Sequence, residues 1–247
     1  MTTTPSWLEA DLGIEGVHIR VTTRAGGVSQ PPWSSQNLGD HVGDLAEHVI
    51  ENRQRLQDAL PIRCINWLRQ EHGTLAVQAV DDMVPTADAQ WTRDVGRALA
   101  VLTADCLPVV LIARDAGCVG IAHAGWRGLA AGVLESLLAA MPVNPATLVA
   151  WFGPAISQPA YEVGPAVKEA FRGVLGDSSA ACFAPSPEQD GHWMADLCAL
   201  ARLHLARAGV PEIHGGDHCT HSEANRFFSY RRDGDPTGRM ATLIWRS

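Results

Sequence analysis

Three apolar runs, Ala98–Thr103, Val109–Ala113 and Val119–Ala122, crowd the middle of the chain. Each is too short for a helix. Hydrophobicity that is nearly unbroken, rather than alternating, marks buried strands. Leu148–Phe152 and the terminal Met240–Trp245 also read as strands, and the β-rich Val17–Thr23 runs into a turn at Arg24-Ala25-Gly26-Gly27. Helical periods lie between them. One opens at Asp44-Leu45-Ala46-Glu47, which has the spacing of a capping box, and runs to about Leu60, with Leu45, Val49, Leu56 and Leu60 as its apolar stripe and Pro61 as its stop. The others are Gly128–Met141, Glu162–Leu175 and Met194–Ala208, while Gly26–Asp44, rich in Gly, Pro, Ser and Asn, reads as a long ordered loop. Interleaved strands and helices, with no repeat and no linker, predict an α/β (α+β) fold in one domain over residues 1–247. A chain of this length buries a substantial core.

Composition narrows the partners. The net charge is −8, whereas a protein that neutralises nucleic-acid phosphates is usually basic. The start, MTTTPSWLEADLG, has neither the basic nor the apolar segment of a secretory signal. No apolar run approaches the roughly 18 residues that span a bilayer. Six scattered cysteines, at 64, 106, 118, 182, 198 and 219, fit thiols or ligands better than a disulfide framework. The expectation is a cytoplasmic protein that binds neither nucleic acid nor membrane; the sequence sets no oligomeric state.

Two histidines and a cysteine stand out by position. Thr103-Ala104-Asp105-Cys106 and Ile121-Ala122-His123-Ala124-Gly125-Trp126-Arg127 each end a buried strand, where sites gather in α/β sheets. Gln70-Glu71-His72-Gly73 closes another element, and its glycine lets backbone approach a ligand. His72, Cys106 and His123 make one plausible catalytic zinc site with an open position. The same atoms also fit a metal-free pair, with Cys106 as nucleophile, His123 as base and Asp105 nearby. Each residue taken singly is more often plain core, and the spacing 72, 106, 123 matches no short metal motif. A second group, His214, His218, Cys219 and His221, reads as a polar loop after Gly215-Gly216 rather than an accessory metal site. Arg24, Arg127, Arg231 and Arg239 are candidates for phosphate, and Tyr230, beside the last two, for stacking on a base. There is no P-loop, His-Glu-x-x-His, Gly-x-Ser-x-Gly or deaminase zinc signature.

Taken together the strings resemble one family. They are Thr23-Arg24-Ala25-Gly26-Gly27-Val28-Ser29, Asn37-Leu38-Gly39-Asp40-His41-Val42-Gly43-Asp44, Gln70-Glu71-His72-Gly73, Thr103-Ala104-Asp105-Cys106-Leu107-Pro108, Ala122-His123-Ala124-Gly125-Trp126-Arg127-Gly128, Tyr161-Glu162-Val163-Gly164 and Phe228-Ser229-Tyr230-Arg231-Arg232. Their order over about Thr22 to Trp245 is similar to that of the bacterial polyphenol oxidase or laccase-domain proteins, also described as purine nucleoside phosphorylases. The resemblance implies layered mixed sheets related to the Cys–His catalytic domain of cytotoxic necrotizing factor. It implies zinc on His72, Cys106 and His123, with copper as the lesser candidate. It also implies phosphorolysis of adenosine, inosine, guanosine or methylthioadenosine, with adenosine deamination beside it. Two further associations are copper-dependent phenol oxidation and hydrolytic editing of peptidoglycan precursors. The chain departs from the family pattern at Ala160, where relatives carry Cys, and in a longer turn at Arg232–Arg239. Neither departure touches the three ligands.

Laccase chemistry fails a count: several copper sites need closely paired imidazoles, and the ten histidines include no His-x-His. A zinc-bound hydrolase and a metal-binding scaffold without turnover are the remaining classes. The expected enzyme is a zinc-dependent purine nucleoside phosphorylase, with nucleoside and phosphate as partners. Cys106, His72, His123 and Asp105 would be its catalytic group, Asp105 as proton carrier or orienter.

Overall fold

A computed structural model describes residues 5–81 and 83–247. Its spine is a pair of mixed sheets. One has five strands in the order β1 (Trp7–Ala10), β2 (Val17–Thr22), β14 (Met240–Arg246), β6 (Arg97–Thr103), β3 (Cys64–Asn66). The other has six, in the order β13 (Glu212–Gly215), β9 (Leu148–Phe152), β7 (Leu107–Ala113), β8 (Val119–Ala124), β5 (Ala89–Thr92), β4 (Ala76–Gln78). A small third sheet joins β10 (Glu162–Val163), β12 (Trp193–Ala195) and β11 (Phe183–Pro185).

The apolar runs are buried on both faces because each sheet has a covering layer on either side. Strand side chains alternate. Val110 and Ile112 of β7 meet Val119 and Ile121 of β8 and, across the gap, Ile19, Leu99, Val101 and Ile244 of the first sheet. Val109 and Leu111 turn the other way, onto α3 (Val133–Ala140), α4 (Pro165–Leu175) and α5 (Leu197–Arg207). On the far side of the first sheet Ala98, Ala100, Leu102 and Leu243 pack with Leu38, Leu60 and Leu56 of α1 (Ala46–Asp58). The result is four layers: helix, sheet, sheet, helices.

Several expectations are corrected. The helix expected over Gly128–Met141 is two, α2 (Trp126–Ala131) and α3, broken at Gly132 with φ of 100°, a left-handed turn that glycine adopts without penalty. The predicted capping box is not made. Asp44 instead accepts from Leu45 N at 2.8 Å and from Asn37 Nδ2 at 3.0 Å, tying down the long loop. Leu45 is exposed, so the stripe is Val49, Leu56 and Leu60. Glu162 and Met194 belong to short strands rather than helix starts. The strands β1, β3, β4, β5, β10, β11, β12 and β13 carried no clear signal, being two to four residues long and often polar, as in Ala89-Gln90-Trp91-Thr92.

The layer between the sheets has a direct test. Ile112→Ala should lower unfolding free energy in urea by about 2–5 kcal/mol, through lost burial and the cavity left behind. Ile50→Ala, at a position 68 % exposed, should stay within about 0.5 kcal/mol. Equal effects would contradict the packing of the two sheets.

Candidate metal centre

The centre lies where the chain crosses from one sheet to the other. β6 ends at Thr103 in the first sheet and β7 begins at Leu107 in the second. The residues between include Asp105, with φ of 92°, and Cys106. Asp105 is held in this left-handed conformation by Ile156, whose N–H donates to Asp105 O at 2.9 Å. The antiparallel register sets Leu107 opposite Ala124 and Pro108 opposite His123, so the residue before β7 falls beside the end of β8. His72 arrives from the loop between β3 and β4, also with positive φ, 58°.

His72, Cys106 and His123 converge. Cys106 Sγ lies 3.8 Å from His72 Nε2, the two imidazoles stand edge to face at 4.7 Å, and one donor atom from each residue lies within 4.8 Å of the others. Tetrahedral zinc with its usual bond lengths separates neighbouring donors by about 3.3–3.8 Å. The cluster therefore fits a metal with small closure. Gly125 keeps it open: a Cβ there would stand 2.9 Å from Cys106 Sγ and 3.0 Å from His72 Cδ2. Among the described residues this is the one group of three or more candidate ligands.

Charge prepares the donors. Burial alone would raise the Cys106 thiol, but His123 and then His72 overcome it and bring its pKa to about 6. Burial would likewise depress His123; the facing Cys106 thiolate and Asp88 hold it at about 9 instead. Asp88 is itself buried, which would raise its carboxyl, yet the hydrogen bonds and charge of His123 and the N–H groups of Gly73 and Glu71 keep it below the usual range. Without metal the pair is thiolate and imidazolium, the arrangement of an activated nucleophile.

A cavity of about 450 Å3 opens over the three donors. Arg127, Arg231, Arg239 and Tyr230 line it, and so does Asp105. None of the three arginines has a carboxylate within salt-bridge distance among the described residues. Arg24 lies elsewhere. Its guanidinium donates to the carbonyls of Ser34 and Ala224 and sits over the Phe228 ring, which fastens a loop. Both Asp105 oxygens are engaged, Oδ1 by the Thr220 hydroxyl and Oδ2 by Arg231 N, each at 2.6 Å. These bonds tie the Cys106 turn to Thr220 and to the backbone of Arg231. His214 and His218 pair with Glu212 and Glu223. The left-handed turn falls at His72, and Gly73 N donates to Asp88.

Sequence reasoning missed Asp88, Gln70, His41, Trp126 and Tyr161. Gln70 clamps the His72 loop to β6, its amide donating to Leu102 O and accepting from Leu102 N at 2.8 and 2.7 Å. His41, Trp126 and Tyr161 line the cavity from three separate segments. His41, Gln70, Trp126 and Tyr161 stood inside recognisable strings; Asp88 stood in none.

Two measurements check this geometry. In metal-stripped protein, iodoacetamide should label Cys106 with a midpoint near pH 6, because the reactive thiolate is lost as pH falls through the depressed pKa. Peptide mapping separates it from Cys219, which has a midpoint near 7, and from Cys198, whose thiol burial pushes to about 12. A Cys106 midpoint in the ordinary thiol range near 8.5 would contradict the pairing. Gly125→Ala should remove most bound metal, read by elemental analysis; full metal content in a folded variant would show that the crowding at Gly125 is not real.

Known proteins place the chain. The family model described as multi-copper polyphenol oxidoreductase laccase matches residues 18–247. A Pseudomonas aeruginosa protein named purine nucleoside phosphorylase is 46% identical over 241 residues, 97% of this chain and 98% of its own. The Escherichia coli purine nucleoside phosphorylase YfiH is 46% identical over 245 residues, 98% of this chain and 97% of its own. The crystal structure of a Neisseria meningitidis protein matches with a TM-score of 0.92 at 47% identity, covering 98% of this chain and 99% of the other. With the family model matched over nearly its whole length and close relatives covered end to end, this chain belongs to the laccase-like polyphenol oxidoreductase family, whose members include proteins named purine nucleoside phosphorylases.

Proposed function

We propose that this protein is a zinc-dependent purine nucleoside phosphorylase, acting on adenosine, inosine, guanosine or methylthioadenosine. The observation that carries the reading is the pairing, in one cavity, of a His–Cys–His donor group with three arginines that lack carboxylate partners. On a chain of net charge −8, arginines left without acidic partners favour an anion. A cavity of about 450 Å3 is in the range of small-molecule sites. The relatives' names agree with nucleoside and phosphate as ligands.

In this reading His72, Cys106 and His123 hold the metal. The metal, when bound, supplies a Lewis acid and makes water more acidic. Arg239 is the first anchor for phosphate. Its chain packs against Gly39, where a Cβ would lie 2.8 Å from Arg239 Cγ, its Nη1 donates to the carbonyls of Thr237 and Gly238, and the residue lines the cavity. Arg231, over the Tyr161 ring at 5.1 Å with Nη1 on Glu162 O, and Arg127, over Trp126 at 4.7 Å, complete the anion wall. Trp126, Tyr161 and Tyr230 offer aromatic faces to a purine. A phosphate oxygen attacks C1′ of the ribose, the C1′–N9 bond breaks, and its electron pair leaves with the base, which takes up a proton. Asp105 serves by holding the Cys106 turn and the Arg231 backbone together.

The metal is zinc rather than a set of coppers in this reading because the described residues offer one donor group and the chain has no His-x-His pair. All six cysteines are free, which suits a reducing cytoplasm. Adenosine deamination at the same centre would need water alone.

Inosine cleavage should therefore require phosphate and release ribose 1-phosphate. Arg239→Ala should slow it roughly 10–150-fold and raise the phosphate requirement, the loss of a charge-assisted contact of about 1.5–3 kcal/mol. Adenosine deamination should suffer less, and Cys106→Ala should abolish both. Free ribose formed at the same rate without phosphate would replace this reading with a nucleoside hydrolase.

A further inference from the structure

Asp88, the residue before β5, is 2 % exposed, and its carboxylate meets four N–H donors. Oδ1 accepts from His123 Nδ1 at 2.8 Å and from His72 N at 3.0 Å. Oδ2 accepts from Gly73 N at 2.7 Å and from Glu71 N at 3.1 Å. The Asp88 carbonyl adds a bond from His123 N at 2.7 Å. A single oxygen thus joins the side chain of one candidate ligand to the backbone of the other.

We propose that Asp88 is the positioning residue of the metal centre, one carboxylate that fixes the tautomer of His123 and the turn of His72 together. This rests on the reading of His72, Cys106 and His123 as metal ligands. An ionised carboxylate only accepts, so His123 Nδ1 carries the proton and Nε2 is left as the donor to a metal. His72 sits at φ of 58°, a conformation unfavourable for a non-glycine residue that persists only when its surroundings hold it. The three consecutive N–H groups of Glu71, His72 and Gly73 converge on Asp88, and that convergence shapes the turn. Both imidazoles come from separate segments, yet their relative placement is set by one group.

The near-isosteric Asp88→Asn exposes the logic. Four donors need acceptors on both oxygens, and an amide offers one oxygen and an NH2. Turned one way, the NH2 faces the Glu71 and Gly73 N–H groups, and the turn loses two bonds. Turned the other way, it faces both His72 N, whose bond is lost, and His123 Nδ1, which relieves its conflict by giving up its proton. Nε2 is then protonated and unable to ligate. Either orientation damages the centre with almost no change of volume.

Zinc affinity of the full chain, wild type and Asp88→Asn, should be compared by competition with a chromophoric chelator. The variant should bind 10–100-fold more weakly, the usual loss for a carboxylate behind a metal-bound histidine. Circular dichroism and thermal melting would confirm that it is folded. A folded variant that holds zinc within twofold of wild type would overturn the proposal. Should the variant not fold, the wild type decides. In zinc-loaded protein labelled with 15N-histidine, His123 Nδ1 should carry a slowly exchanging proton and Nε2 should be the metal-bound nitrogen. Nδ1 found on the metal would overturn it equally. Neither readout uses a nucleoside, so loss of the phosphorylase reading would leave this one standing. A wild type that binds no zinc would end both the metal reading and this inference.

Discussion

The packing of one sheet against the other is the constraint on which the rest depends. Leu99, Val101 and Ile244 close on Val110, Ile112, Val119 and Ile121, and strands buried on both faces have no freedom to slide, because a shift of one residue would turn every side chain to the wrong layer. The chain must therefore pass from β6 to β7 in the few residues after Thr103. That passage stores backbone strain at Asp105 and delivers Cys106 to the end of β8, next to His123. The chemistry of the centre is a by-product of how tightly two sheets can be joined.

Around that junction, polar residues divide into those that hold the scaffold and those left over. Gln70 is spent on Leu102, Asp105 on Thr220 and Arg231, and Arg24 on two carbonyls and a phenyl ring. Arg232 likewise reaches the carbonyls of Thr220, His221 and Phe227. At the cavity stand a donor group for a metal and three guanidinium groups that touch backbone carbonyls and aromatic rings but no carboxylate among the described residues. The contrast with the acidic whole gives these arginines their meaning, because a local positive wall on a protein of net charge −8 concentrates anions where the rest repels them.

The central strands were legible because burial on both faces leaves an unmistakable apolar run. The three candidate donors were legible as residues at element ends and inside familiar strings. Which arginines reach the cavity was not. Arg24 and Arg239 have equally suggestive neighbours in sequence, but one is turned onto Phe228 and the other lines the cavity with Cys106. The capping box failed for a related reason: Asp44 had a competing partner in Asn37, seven residues away in sequence but fixed by the loop's fold. The helix over Gly128–Met141 was one apolar period in sequence, and only the left-handed Gly132 divides it.

By itself the sequence determined the class of fold, the buried strands, the family and the identity of the three candidate metal donors, since these follow from local pattern and from residue type. Tertiary structure decided the rest. Gly125 matters because a side chain there would occupy the space of Cys106 and His72, which are distant in sequence. Asp88 matters because four donors from two segments meet on its carboxylate, and nothing in its own neighbours foretells them. A residue that acts through its own chemistry announces itself by type, whereas one that acts by holding others is defined by what the fold brings to it.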